Sequence, residues 1–186
     1  MAPLMDDVGR LQSVLDHCME FAMNAQSETW ADKLGLGVLQ ESDEQLVNDL
    51  LSLLGATEVD MTMFFRGLCS VEKPDIAQVS DAFYEGEAPD EKAWNAWMMQ
   101  WWERVDGQPD RATMRAANPK YVLRNWMAQL AIDAAEQNND FTLAEELHEL
   151  LKRPYDEQPE HEEKWFQKRP EWARHRVGCS MLSCSS

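Results

Sequence analysis

The sequence predicts an all-α protein, and three observations carry that prediction. Apolar residues recur at steps of three and four along nearly the whole chain. No stretch alternates apolar and polar residues as a half-buried strand does, and no β-branched run occurs. Clusters of Gly, Pro, Asn and Asp separate the periodic segments, which gives about seven helices followed by a tail.

Val8, Leu11, Leu15, Cys18 and Ala22 fall on one stripe of a helix that begins near Asp6 and Asp7. Ser42-Asp43-Glu44-Gln45 reads as a capping box, with acids in the first turn facing the positive helix end. Leu46, Val47, Leu50, Leu51 and Leu54 then form the buried face, and Gly55 stands where a left-handed cap would stop the helix. Met61, Phe64, Phe65 and Leu68 make a shorter stripe, and Ile76, Val79 and Phe83 repeat it after Pro74-Asp75. Pro89-Asp90 opens the next helix, whose face carries Trp94, Trp97, Met98, Trp101 and Val105 and which ends at Asp106-Gly107-Gln108-Pro109. Asn118-Pro119 reads as an N-cap followed by proline at the first helical position, with Leu123, Trp126, Met127, Leu130 and Ala134 following at helix spacing. Asn138-Asn139-Asp140 turns the chain, and Leu143, Leu147, Leu150 and Leu151 form the last strong helix before Pro154. Residues 1–154 are thus read as the helical region, and residues 155–186 as an extended C-terminal tail with Trp165, Phe166 and Trp172 pinning it to the body.

Of 186 residues, 44% are apolar and 27% charged, enough to bury a core. The net charge is −17, and it is divided unevenly: residues 1–90 hold 18 acids against 4 bases, residues 91–186 hold 16 against 13. That balance argues against the broad basic footprint of a nucleic-acid partner. A local basic patch is still open to Lys152 and Arg153, or to Lys164, Lys168, Arg169, Arg174 and Arg176. No apolar run is long enough to span a bilayer, and the first ten residues lack a signal-peptide layout. Four cysteines, at 18, 69, 179 and 184, form no CxxC pair, and the expected setting is reducing and cytoplasmic.

The chemistry-bearing motifs are few. Gly35-Leu36-Gly37 is too short to cradle phosphate, and neither GxGxxG nor GxxxxGK[ST] is present. The tryptophans at helix spacing read as packing. His175, Cys179 and Cys184 are three soft metal ligands without a fourth. Lys120 and Arg124, four apart, would share one helix face near its N-terminus. They suit an anion or a contact with a neighbouring lobe there, or else pair with acids. Cys184, two residues from the end, is an exposed thiol whose reactivity depends on its local charge. Cys18 and Cys69 sit at apolar helix positions, where burial would slow them.

The stretch Asn118-Pro119-Lys120-Tyr121-Val122-Leu123-Arg124-Asn125 closely resembles the C-terminal part of the selenoprotein O family. Lys33-Leu34-Gly35-Leu36, Phe64-Phe65-Arg66-Gly67-Leu68, Asp140-Phe141, Pro154-Tyr155-Asp156-Glu157, Trp172-Ala173-Arg174 and the ending Cys184-Ser185-Ser186 fit as well. The family consists of kinase-like proteins that transfer AMP from ATP to hydroxyl side chains of other proteins. The resemblance implies that residues 1–154 are the distal helices of a kinase-like C-lobe. The family's glycine loop, ATP-binding lysine and magnesium ligands belong to a region this sequence does not contain. ATP and magnesium are therefore expected of the whole protein, and no catalytic, cofactor or metal residue is expected here. By the same resemblance Cys184 occupies the position of the family's redox-active residue, whose partner lies in the kinase-like region. Cys179 is a candidate resolving thiol. The expected partners are the kinase-like region, in the same or a separate chain, and protein substrates. The competing expectation is a stand-alone helical interaction module without catalysis.

Overall fold

The computed structural model describes residues 8–85 and 89–179, and among these it is all-α. Eight α-helices follow one another: α1 (Val8–Leu34), α2 (Asp43–Ala56), α3 (Met61–Leu68), α4 (Glu91–Arg104), α5 (Arg111–Ala117), α6 (Asn125–Asn138), α7 (Thr142–Leu151) and α8 (Pro159–Trp165). Two 3-10 helices, Ile76–Ala82 and Glu171–Ala173, complete the set, and the only extended pairing described is an isolated antiparallel bridge between Val59 and Phe83.

The side chains bury into two clusters. The larger gathers Leu34, Leu50, Phe64, Leu68, Trp94, Trp97, Trp101 and Met114 from α1 to α5. The tryptophan stripe is indeed packing: Trp97 and Trp101 stack with an interplanar angle of 2°. Their indole N–H groups donate to the carbonyl oxygens of Leu46 and Leu34, both at 2.9 Å, so the helix face buries area without orphaning a donor. The second cluster joins Tyr121, Trp126 and Met127 to Leu147 and Leu150 of α7, Trp165 of α8, Ala173 and Cys179. Residues 155–179 are thereby laid against α6 and α7, with Trp165 as the buried anchor and Trp172 largely exposed.

Several expectations are corrected. The helix expected to start at Pro119 starts at Asn125, and residues 118–124 run extended. Long-range bonds outweigh local capping there. The amides of Lys120 and Tyr121 both donate to the Pro154 carbonyl, at 2.8 and 3.0 Å, and the Asn118 side chain is engaged with Lys33. Leu123, expected in the core, is 53% exposed. Lys120 and Arg124 consequently do not share a helix face. Ser42 makes no side-chain cap; instead Asp43 Oδ2 accepts from the Gln40 amide at 2.8 Å. Gly55 lies inside α2, which ends at Ala56 with the extended Thr57 as its C-cap. Helix α5 was not foreseen; Asp110 caps it by accepting from the Thr113 amide. The stripe from Val8 to Ala22 lies on α1 as predicted, but Leu11, Leu15 and Cys18 on it are exposed rather than buried.

Gly35 and Gly37 end α1 with φ of 65° and 73°, the left-handed region that glycine adopts without strain. At Gly35 space is also closed: a β-carbon would meet Met114 Sδ at 2.9 Å and the Asp110 backbone nitrogen at 3.0 Å. The pair therefore turns the chain, and at Gly35 it lets α5 approach.

Candidate functional site

Of the residues singled out in the sequence, Lys120 lies in an ion-pair network that joins α3 to α8, together with Arg66. Arg66 of α3, 7% exposed, donates to the carbonyl oxygens of Arg115 (3.1 Å), Asn118 (3.0 Å) and Tyr155 (3.1 Å) and to Glu157 Oε1 (2.5 Å). Lys120, 4% exposed, donates from Nζ to Glu157 Oε2 and Glu162 Oε2, each at 2.9 Å. Glu157 thus bridges two buried cations. The Lys120 hydrogen bond holds its carboxyl below the usual range, against the opposing effect of burial, with Arg66 adding to it. Burial pushes the Lys120 ammonium down, but the Glu162 and Glu157 hydrogen bonds outweigh it and the group stays charged to higher pH than a free lysine. Tyr121 Oη lies 2.9 Å from the carbonyls of Glu157 and Gln158, and burial raises its phenol.

Arg124 faces elsewhere. Its guanidinium grips Asp60 with two nitrogens, at 2.5 and 2.9 Å, and donates to the Gln167 carbonyl. Asp60 also caps α3 by accepting from the Met63 amide at 3.0 Å. Beside it Arg169 (2.6 Å) and Arg174 pair with Glu58, Lys168 donates to the Phe83 carbonyl at 2.6 Å, and Arg176 pairs with Asp133 at 2.7 Å. Burial pushes the Glu58 carboxyl up, and the hydrogen bonds from Arg169 and Arg174 outweigh it and hold the group ionised. Three arginines of the run from 168 to 176 pair with acids of this chain, and Lys168, Arg169 and Arg174 strap the C-terminal segment across Glu58 and residues 83–84.

Cys179 is buried at the start of α6, where the Asn125 side-chain amide donates to its carbonyl at 3.1 Å. Cys184 lies outside the described residues, and with it the Cys179–Cys184 pair and the His175, Cys179, Cys184 set. Among the described residues no group of three or more His, Cys, Asp or Glu is placed to hold a metal ion.

A cleft of about 410 Å³ opens between α1 and α3, lined by Thr29, Trp30, Lys33, Met61, Phe65, Asn118 and neighbours. Lys33 Nζ donates to Asn118 Oδ1 at 2.7 Å and sits 4.3 Å from the centroid of the Phe65 ring. It makes no ion pair with a carboxylate among the described residues. Burial lowers its pKa accordingly. Asn118 Nδ2 reaches the Lys33 carbonyl at 2.9 Å and the buried Cys69 sulfur at 3.8 Å, and burial pushes that thiol up. Sequence reasoning took Asn118 for a helix cap and gave Lys33 and Arg66 no role of their own. The signal available for Lys33 was its place seven residues beyond Gln26, and four beyond Thr29, on the stripe that starts at Leu11.

The sequence profile described as "Protein adenylyltransferase SelO" matches residues 2–152. The chain is similar to the protein nucleotidyltransferase YdiU of Flavobacterium johnsoniae, 45% identical over 99% of this chain and 37% of that protein. The protein of the same description from Xanthomonas campestris pv. campestris is also 45% identical, over the whole chain and 37% of its own length. That of Aromatoleum aromaticum is 48% identical over 84% of this chain and 31% of its own length. The chain therefore spans little more than a third of the relatives it matches. No helix described is long and apolar enough to cross a membrane.

Proposed function

The chain belongs to the SelO family of protein adenylyltransferases, and from that membership we propose that it is the helical portion of an enzyme that transfers AMP from ATP to protein hydroxyls. The observation that carries this reading is the match itself: 45% identity across nearly the whole chain falls on only 37% of the relative's length. The residues that would hold ATP and magnesium are assigned to the remaining length of the relatives on the family resemblance. In the assembled enzyme a protein hydroxyl would attack the α-phosphorus and pyrophosphate would leave, with magnesium supplying charge neutralisation.

The part assigned to this chain is mechanical and regulatory. The network of Arg66, Lys120, Glu157 and Glu162 locks α3, the 118–124 segment and α8 into one support for the kinase-like region. The arginine strap on Glu58 and Asp60 fixes residues 167–174 against the body. From there Cys184 acts as the redox thiol, with Cys179 as its resolving partner. Their bridge would form on loss of two electrons and two protons to a peroxide, which is reduced to water.

The test joins the remaining length of the F. johnsoniae relative ahead of residue 1 and follows label from α-labelled ATP onto protein. Transfer by the joined chain, and none when residues 1–186 are left off, is the expected result. Equal transfer without residues 1–186 would overturn the supporting role.

A further inference from the structure

Residues 168–179 lie against the body but are held there mainly by charge. Gln167, just before them, is fixed: its carbonyl accepts from Arg124, and its side-chain amide donates to the Lys164 carbonyl of α8 at 2.9 Å. Beyond it two carboxylates hold the segment. Glu58 takes Arg169 on one oxygen at 2.6 Å and Arg174 on the other, and Asp133 takes Arg176 at 2.7 Å. Lys168 and the Arg169 amide add bonds to the Phe83 carbonyl and the Tyr84 hydroxyl, and Asn125 holds the Cys179 carbonyl. Only Ala173 and Cys179 of the segment are buried, whereas α8 is seated by Trp165, 1% exposed in the second cluster.

Two features make this docked state easy to leave. The side chains of Glu58, Asp133 and the three arginines are 22% to 39% exposed, so water and salt reach every pair. Docking also leaves Arg169 Nε buried without a hydrogen-bond partner among the described residues, a cost that release into water removes. What closes the segment is long-range attraction. It carries four basic residues and one acid, and the rest of the chain carries 13 bases and 33 acids.

We propose that residues 168–179 are a salt-sensitive clasp, hinged at Gln167 and latched at Glu58 and Asp133, which covers Cys179 when shut and exposes it when open. Opening is local, because the apolar seat of Trp165 lies before the hinge and is indifferent to salt. One consequence rests on the functional reading above. A buried sulfur cannot be approached in line by a second thiol, so Cys179 resolves only from the open clasp. The clasp thereby sets the rate at which Cys179 and Cys184 join, two thiols and one peroxide giving one disulfide and two waters.

The test follows alkylation of each cysteine of the 1–186 chain by iodoacetamide, an uncharged reagent, with peptide mass spectrometry. Exposed Cys18 is the reference, and fully buried Cys69 reports global unfolding. At low salt Cys179 should react about tenfold slower than Cys18. Sodium chloride at about 1 M, where screening acts within about 3 Å, should raise the Cys179 rate about fivefold while Cys69 stays protected. Glu58→Gln combined with Asp133→Asn should do the same at low salt. The salt arm needs no substitution, so a variant that fails to fold does not end the experiment. Cys179 reacting as fast as Cys18 at low salt would overturn the covered state. A rate that neither salt nor the double substitution raises would overturn the latch, and loss of Cys69 protection in step with Cys179 would overturn local opening. With peroxide, bridging should quicken as the clasp opens. Opening without bridging sinks the redox reading and leaves the clasp, while fast bridging in a chain whose Cys179 is protected overturns the gating.

Discussion

Lys33 and Asn118 hold each other by two hydrogen bonds: the ammonium donates to Asn118 Oδ1 at 2.7 Å, and Asn118 Nδ2 donates to the Lys33 carbonyl at 2.9 Å. The pair stitches the C-terminal end of α1 to the extended 118–124 segment, 85 residues away in sequence. Asn118 is 1% exposed, so water cannot replace it. Asn118→Ala leaves a carbonyl and an ammonium short of partners and should cost about 1–3 kcal/mol, read as a lower urea midpoint with an unchanged slope.

Gly35 is required by conformation and by space together. Gly35→Ala places a methyl at 2.9 Å from Met114 Sδ on a backbone with φ of 65°. A loss of about 1–3 kcal/mol is expected, and thermal unfolding followed by circular dichroism measures it. Gly37, with the same sign of φ and nothing within 4 Å, should lose less on the same change.

The corrected start of α6 gives a paired test. Leu123→Ala, at a position 53% exposed, should change stability by less than about 0.5 kcal/mol. Leu150→Ala, at a fully buried position of the second cluster, should cost about 2–5 kcal/mol. Urea unfolding of the two variants side by side decides whether residues 118–124 are extended.

Acid sensitivity should have an address. Burial pushes the Asp43 carboxyl up, but the Arg104 hydrogen bonds at 2.7 and 2.9 Å and the Gln40 amide outweigh it, and its pKa lies below the usual value. A carboxyl depressed in the folded state contributes stability above its unfolded pKa, and that stability is lost as pH falls through the folded one. Unfolding should therefore become easier below about pH 4. Asp43→Asn should be less stable at pH 7 and lose less than the parent between pH 5 and pH 3, measured by urea titration at each pH.

The helices were legible because their signal is local. The tryptophan face of α4, the turn at Asn138–Asp140 and the stop at Pro154 are each written within a few residues, and the structure has them. Asn139 even takes the left-handed cap conformation, with φ of 52°. The segment 118–124 was not legible for the opposite reason: its conformation is set by the Pro154 carbonyl and by Lys33, both distant in sequence. Periodicity also found the stripe of α1 without showing whether anything covers it. A stripe facing a partner reads the same as one facing the chain's own core. The ion pairs of Lys120 and Arg124 join residues 37 to 64 positions apart and left no local trace.

The sharpest test of the account is a calorimetric titration of residues 1–186 with ATP and magnesium. With the nucleotide site proposed to lie in the length that the relatives have beyond the matched region, no heat above dilution is expected. The same titration of the joined chain should show magnesium-dependent binding. Micromolar, magnesium-dependent binding by residues 1–186 alone would contradict it.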